Sequence, residues 1–175
     1  MTSGFARLVL FVFIGLYSCN AGAQKPHGEG PIEWMTWQEA MEKQKTAPRK
    51  IFIDMYTSWC GWCKRMDATT FQDSAVAAIL NDKFYAVKMD AETHDTLVYQ
   101  GKDYVFKPEY KSNELAVKLL NGQMSFPTAV YLDERQFVIS PVAGYMTAEQ
   151  VLPILHYFGD NIYLTRSWED YAGKH

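Results

Sequence analysis

Two cysteines separated by two residues carry the first chemical signal in this chain, in Trp59-Cys60-Gly61-Trp62-Cys63-Lys64. They follow an apolar, β-rich run, Lys50-Ile51-Phe52-Ile53-Asp54-Met55-Tyr56, and precede a segment over residues 64–80 that reads as a helix. Cys60 and Cys63 therefore belong where a strand ends and a helix begins. A helix N-terminus offers free N–H groups and partial positive charge. A thiolate there is stabilised, and its pKa falls below the free-cysteine value of about 8.5. Such a pair can close a small disulfide and reopen it. Two other readings share the spacing. Half of a zinc site needs two further ligands. Cys19 is the only other cysteine, and His27, His94, His156 and His175 are scattered, with no His-x3-His pair. An inert bridge is the second, although a two-residue gap suits a redox-active turn better than a staple.

The elements that must position the pair can be read on either side. Thr36-Trp37-Gln38-Glu39 is a capping box that opens a helix to about residue 45, and Ala47-Pro48-Arg49 ends it. The strand over 50–56 is apolar at nearly every position, as a strand covered on both faces is. Asp54 is the exception, and a carboxylate in mid-strand is costly without a partner or a task. Asp73 can cap a continuation of the motif helix through Val76, Ile79 and Leu80, and residues 83–89 read as the next strand. The order helix, strand, helix, strand predicts α/β packing with parallel strands.

Residues 91–124 are long for a bare connection. They predict short strands at 96–100 and 104–107 about Gly101-Lys102-Asp103, then a helix over 113–120 stopped by Asn121-Gly122. Ser125-Phe126-Pro127-Thr128 leads into a strand over 129–132, and Asp133-Glu134-Arg135 turns it into an antiparallel partner over 136–140. Gly144 breaks the pattern. Thr147 and Gln150 form a second capping box, opening a helix to about residue 158 that Pro153 should bend.

Residues 1–23 read as a secretion signal. Arg7 and the amino terminus supply a positive start, residues 8–17 an apolar core too short to span a bilayer, and Ala21-Gly22-Ala23 a cleavage site before Gln24. Leu16-Tyr17-Ser18-Cys19 offers a competing lipoprotein box with Cys19 as the lipid anchor, against which the bulky Tyr17 speaks. Either route exports the domain, and the expected location is a periplasm, whose surroundings are oxidising. Residues 24–30 are a short flexible leader, 31–160 the folded domain with 91–124 as an insertion, and 161–175 an aromatic tail. About 150 residues remain after cleavage, enough for one core. A net charge of −3 without a basic stripe gives no case for nucleic acid as a partner.

Asp54, Trp59-Cys60-Gly61-Trp62-Cys63-Lys64 and Phe126-Pro127-Thr128 occur in that order, followed by a hairpin, Gly144 and a terminal helix. In this the chain resembles the thioredoxin superfamily over residues 31–160. With its secretion signal and long insertion, it is more similar to exported thioredoxin-like proteins of Bacteroidetes-type bacteria than to cytosolic thioredoxin. The resemblance implies a thioredoxin-like α/β fold: a central mixed β-sheet flanked by helices on both faces, with a hairpin-plus-helix insertion before the cis-proline strand.

The resemblance also implies roles. Cys60 would be the exposed nucleophile, attacking a substrate disulfide as thiolate, and the deeper Cys63 would resolve the mixed disulfide. Asp54 would be a buried acid beneath Cys63, its pKa raised by burial, exchanging the proton that Cys63 loses. Pro127 would be cis beside the disulfide and shape, with Phe126, a groove where an extended substrate pairs as an added strand. Trp59, Gly61 and Trp62 would complete the substrate-binding surface, and Lys88 would stand near Asp54. Trp62 replaces the proline common between the cysteines of cytosolic thioredoxins, and Phe126 a smaller residue; both bear on potential and partner choice. The implied activity is reduction of protein disulfides, with no metal and no cofactor beyond the Cys60–Cys63 pair. Its partners would be protein thiol or disulfide substrates and an upstream electron donor. The alternative is a non-catalytic binding module, or a domain holding copper on Cys60 and Cys63.

Overall fold

The computed structural model describes Met1 and residues 30–173. The expected secretion signal beyond Met1, the lipoprotein reading of Cys19 and the leader up to residue 29 lie outside the described residues, as does the end of the tail at 174–175. Along the chain run α1 (Trp37–Gln44), β1 (Lys50–Tyr56), α2 (Gly61–Ala68), α3 (Ser74–Lys83), β2 (Phe84–Asp90), β3 (Leu97–Tyr99) and β4 (Lys102–Tyr104). There follow β5 (Phe106–Lys107), β6 (Ser112–Asn113), α4 (Glu114–Leu119), β7 (Thr128–Leu132), β8 (Val138–Ala143), α5 (Ala148–Gly159) and α6 (Trp168–Ala172).

The central sheet has the order β2-β1-β7-β8. β1 and β2 are parallel, and β7 and β8 add antiparallel rungs, so the sheet is mixed. Successive side chains of a strand point to opposite faces. Ile51, Ile53 and Met55 accordingly pack with Trp37, Leu115 and Leu119 on one side. Phe52 packs with Val76, Leu80 and Phe158 on the other. Covering both faces explains why β1 is apolar almost throughout. The same period of two puts Asp54 on the Phe52 face.

Two helix caps form as their sequences predict. Thr36 and Glu39 cap α1 reciprocally: the Glu39 N–H donates to the Thr36 hydroxyl at 3.2 Å, and the Thr36 N–H to the Glu39 carboxylate at 2.8 Å. The Asp73 carboxylate accepts the N–H groups of Ala75 and Val76 at 2.9 and 3.1 Å, starting α3.

Several expected boundaries are corrected. The helix over 64–80 is two helices, because Thr69 leaves helical geometry (φ −125°, ψ −77°) and a 3-10 turn at Thr70–Gln72 precedes Asp73. The hairpin expected over 96–107 forms but is shorter, β3 with β4, and Phe106–Lys107 pairs onward instead, as β5 with β6. Its turn lies at Gln100-Gly101, both with positive φ (50° and 73°), a two-residue loop suited to the twist of the strands. The strand expected at 136–140 begins at Val138 instead. The Asp133 carboxylate gathers the N–H groups of Arg135 and Phe137 at 2.9 and 2.8 Å, which lengthens the turn. The tail closes over α5: the Tyr157 hydroxyl donates to the Arg166 carbonyl at 2.7 Å, and Trp168 meets the Tyr157 ring edge-on at 5.2 Å.

Candidate active site

β1 ends at Tyr56, and Thr57-Ser58-Trp59 turns the chain into α2. The Cys60 N–H closes this turn on the Thr57 carbonyl at 3.1 Å. Cys60 is then the N-cap of α2, in extended geometry (φ −71°, ψ 104°), and its Sγ accepts the Cys63 N–H at 3.0 Å. A disulfide joins Cys60 and Cys63, with an S–S distance of 2.05 Å and Cα atoms 5.3 Å apart. One orphan N–H of the helix start therefore points at the sulfur whose thiolate it would stabilise.

One expectation is corrected here. Cys60 is not exposed in the disulfide form: it is 5% accessible, against 2% for Cys63. The physical reason is the N-cap geometry, in which Cys60 Sγ is held against the Cys63 N–H and tied to Cys63 Sγ. The large exposed groups are the flanking Trp59 and Trp62.

Asp54 and Lys88 stand opposite each other in the β1–β2 register. The Lys88 Nζ donates to Asp54 Oδ2 at 2.6 Å and also bonds Asp67 Oδ1, from the second turn of α2. Burial pushes the Asp54 carboxyl up, with the Lys88 ammonium pulling the other way. Burial works against the charge on Lys88 as well, but the Asp54 and Asp67 carboxylates hold it above the ordinary lysine value. The rings of Trp34, Tyr56 and Phe71 lie 5.0, 5.3 and 5.4 Å from this ammonium, all within cation–π range. Asp67 escaped the sequence reading. Its signal is spacing: it follows Cys63 by four residues, hence on the same helix face.

The loop before β7 closes the site. The Phe126–Pro127 peptide bond is cis. The Pro127 carbonyl accepts the Gly144 N–H at 2.8 Å, and Gly144 has φ 106°, a conformation that favours glycine. The Phe126 ring meets Trp59 edge-on at 6.0 Å, and Trp59 Nε1 donates to the Glu92 carboxylate at 2.9 Å. On its other side Trp62 packs on Tyr145 at 5.3 Å. Glu92 and Tyr145 carry no signal in the sequence, since only the folded chain brings them to the cysteines. A side chain added at Gly61 would meet nothing within 4 Å, so the space above the start of α2 is open. Among the described residues, no group of three or more His, Cys, Asp or Glu side chains gathers to hold a metal.

The profile of the Thioredox_DsbH family, described as a protein of unknown function (DUF255), matches residues 16–154. The chain belongs to this family. Curated relatives include the uncharacterized protein B0495.5 of Caenorhabditis elegans, 35% identical over 98 residues that cover 53% of this chain and 13% of that protein. Spermatogenesis-associated protein 20 of Homo sapiens is 34% identical over 67 residues, covering 38% of this chain and 8% of the relative. The chain thus spans a small part of the length of these relatives. Among solved structures, a thioredoxin from Thermus thermophilus aligns with a TM-score of 0.55 at 17% identity, over 83% of this chain and 97% of that one. A thioredoxin-fold protein from Helicobacter pylori aligns with a TM-score of 0.56 at 16% identity, over 85% and 87%. At these identities the likeness is one of fold, and this family member has the thioredoxin fold.

Proposed function

We propose that this protein is an exported thiol–disulfide oxidoreductase that reduces protein disulfides through Cys60 and Cys63. The observation that carries this reading is the Cys60–Cys63 disulfide at the N-terminus of α2. In the reduced form the Cys60 thiolate attacks one sulfur of a substrate disulfide and expels the other as a thiolate. Cys63 gives its proton to the Asp54 carboxylate and attacks Cys60 Sγ. That step closes Cys60–Cys63 and releases the second substrate sulfur. Two electrons pass from the cysteines to the substrate, and an upstream dithiol donor restores them.

The surroundings support a protein substrate. No backbone hydrogen bond engages Phe126 among the described residues, so its N–H and C=O can pair with an extended segment laid beside Pro127. Trp59 and Trp62 flank that path, and the open space at Gly61 admits close approach. Gly61 and Trp62 carry no charge, so the helix terminus alone stabilises the Cys60 thiolate. That favours a potential nearer thioredoxin, about −270 mV, than the strong periplasmic oxidants, about −120 mV. Export rests on the apolar run 8–17 and on Ala21-Gly22-Ala23.

Insulin reduction with dithiothreitol tests the reading, run beside metal analysis of the purified protein. Turnover without bound metal is expected. No turnover together with copper bound at one ion per chain would favour the metal-holding alternative instead. The intact mass of the native protein tests export: an N-terminus at Gln24 is expected, and retained Met1 would count against it.

A further inference from the structure

The Lys88 ammonium bonds two carboxylates from different elements, Asp54 on β1 and Asp67 on α2. Side-chain exposure rises along this line, from 3% at Asp54 through 25% at Lys88 to 44% at Asp67. The three groups form a graded path from the core to water. Cys63 lies one helical turn before Asp67, so the contact with Lys88 turns the Cys63 face of α2 toward the β1–β2 pair. We propose that Asp67 is the solvent-side acid of a relay, Asp54–Lys88–Asp67, which keeps the Lys88 ammonium paired while Asp54 is neutral and passes the proton taken from Cys63 on to water. This rests on the dithiol reading above and extends it to a residue beyond the two cysteines and Asp54.

The physical need is plain. A largely buried lysine that loses its only counter-charge is strongly destabilised. If Asp54 alone paired Lys88, taking up a proton would strand the ammonium. With Asp67 on the same nitrogen, an anion remains in both states. The proton count balances. Cys63 S–H gives a proton to Asp54. Asp54 passes one to Lys88 as Lys88 gives one of its own to Asp67, and Asp67 releases it to water. Lys88 ends as ammonium, Asp54 as carboxylate, and no electron moves.

The other groups around Lys88 offer no such route. Tyr56 on β1 presents its ring to the ammonium, and its hydroxyl is pushed up, chiefly by burial and then by Asp90. Asp90, at the end of β2, accepts the Glu92 N–H at 2.9 Å. Trp34 and Phe71 present aromatic rings only.

The test compares Asp67→Asn and Asp67→Glu with the parent. Asp54 is titrated by carboxyl-carbon NMR in the oxidised protein, and the resolution rate of a preformed mixed disulfide is followed against pH. Losing the Asp67 charge, and leaving Lys88 wholly to Asp54, both favour ionised Asp54. In Asp67→Asn the Asp54 titration and the acid limb of the resolution rate should therefore move down together, by about one pH unit. Asp67→Glu should restore both. In a Lys88→Gln background, Asp67→Asn should shift the rate profile by clearly less, because only the direct repulsion between the two carboxylates remains. An unmoved Asp54 titration in folded Asp67→Asn, or a shift that is undiminished without Lys88, would overturn the relay. The titration needs no turnover, so a failure of disulfide reduction would be seen separately.

Discussion

Cys60 and Cys63 differ in place more than in exposure. Cys60 caps the helix and Cys63 sits inside its first turn, with its N–H spent on Cys60 Sγ. Cys60→Ser should therefore form no mixed disulfide with insulin, whereas Cys63→Ser should trap one, read as a mass increase that dithiothreitol removes. Faster alkylation of Cys63 than of Cys60 in the reduced protein would reverse these roles. Asp54 carries a second prediction. Its carboxyl pKa is raised in the fold, chiefly by burial, so folding favours the neutral form. That contribution is fully present below the unfolded carboxyl pKa and is lost as pH rises through the folded value. Asp54→Asn should then melt higher than the parent at neutral pH and above, with the gap closing in acid, because Lys88 keeps Asp67. A variant that melts lower throughout would make Asp54 a purely structural acid. Asp54 was legible as a lone carboxylate in an apolar strand. Asp67 was not, because its contact with Lys88 exists only once β2 lies beside β1 under α2.

Among the elements, the stretch between β2 and β7 depends on one side chain. Asn113 is fully buried, and its Oδ1 accepts the Leu115 N–H at 3.0 Å to cap α4. Its Nδ2 donates to the carbonyls of Thr93 and Asp95 at 3.3 and 3.0 Å. Asn113→Ala removes a cap and takes the amide donor from the Thr93 and Asp95 carbonyls, a cost of about 2 kcal/mol. The urea midpoint should fall accordingly with the slope unchanged; a midpoint within error of the parent would show that water replaces the amide. The helix α4 was legible from its own residues and the stop at Asn121-Gly122. The ladder of β5 and β6 was not, since strands of two residues carry no periodicity. The register of β3 and β4 was displaced because Gln100 takes positive φ as well as Gly101.

Across the whole molecule, the face of the sheet toward α3 and α5 is an aromatic core. Tyr131 is fully buried there, with ring centroids 5.5 Å from Phe52, 6.1 Å from Phe84 and 4.4 Å from Phe158. Its hydroxyl has no hydrogen-bond partner among the described residues, and burial drives its pKa far above the ordinary tyrosine range. An unpaired buried hydroxyl is unfavourable. Tyr131→Phe should therefore stabilise the oxidised protein by about 1 kcal/mol in guanidinium unfolding. A loss of stability would mean that the hydroxyl is satisfied by trapped water. The sheet ends at β8, which carries Pro141 opposite Val130. Proline is tolerated in an edge strand, and its missing N–H blunts further pairing at that edge.

What the sequence determined by itself was a set of features made by near neighbours. Two cysteines two residues apart can close a disulfide where a turn enters a helix. Thr36 with Glu39 and Asp73 with Val76 cap helices from within one turn, and an apolar strand announces two covered faces. The tertiary structure decided what distant segments do to one another. It set Lys88 against Asp54 and Asp67, Phe126 against Trp59, and Tyr145 against Trp62, and it folded Cys60 inward behind two exposed tryptophans. The reason is physical. Helix caps and turns are settled by backbone geometry over a few residues. The pairing of a buried charge depends on strand order and register, which only the packing of the whole core selects.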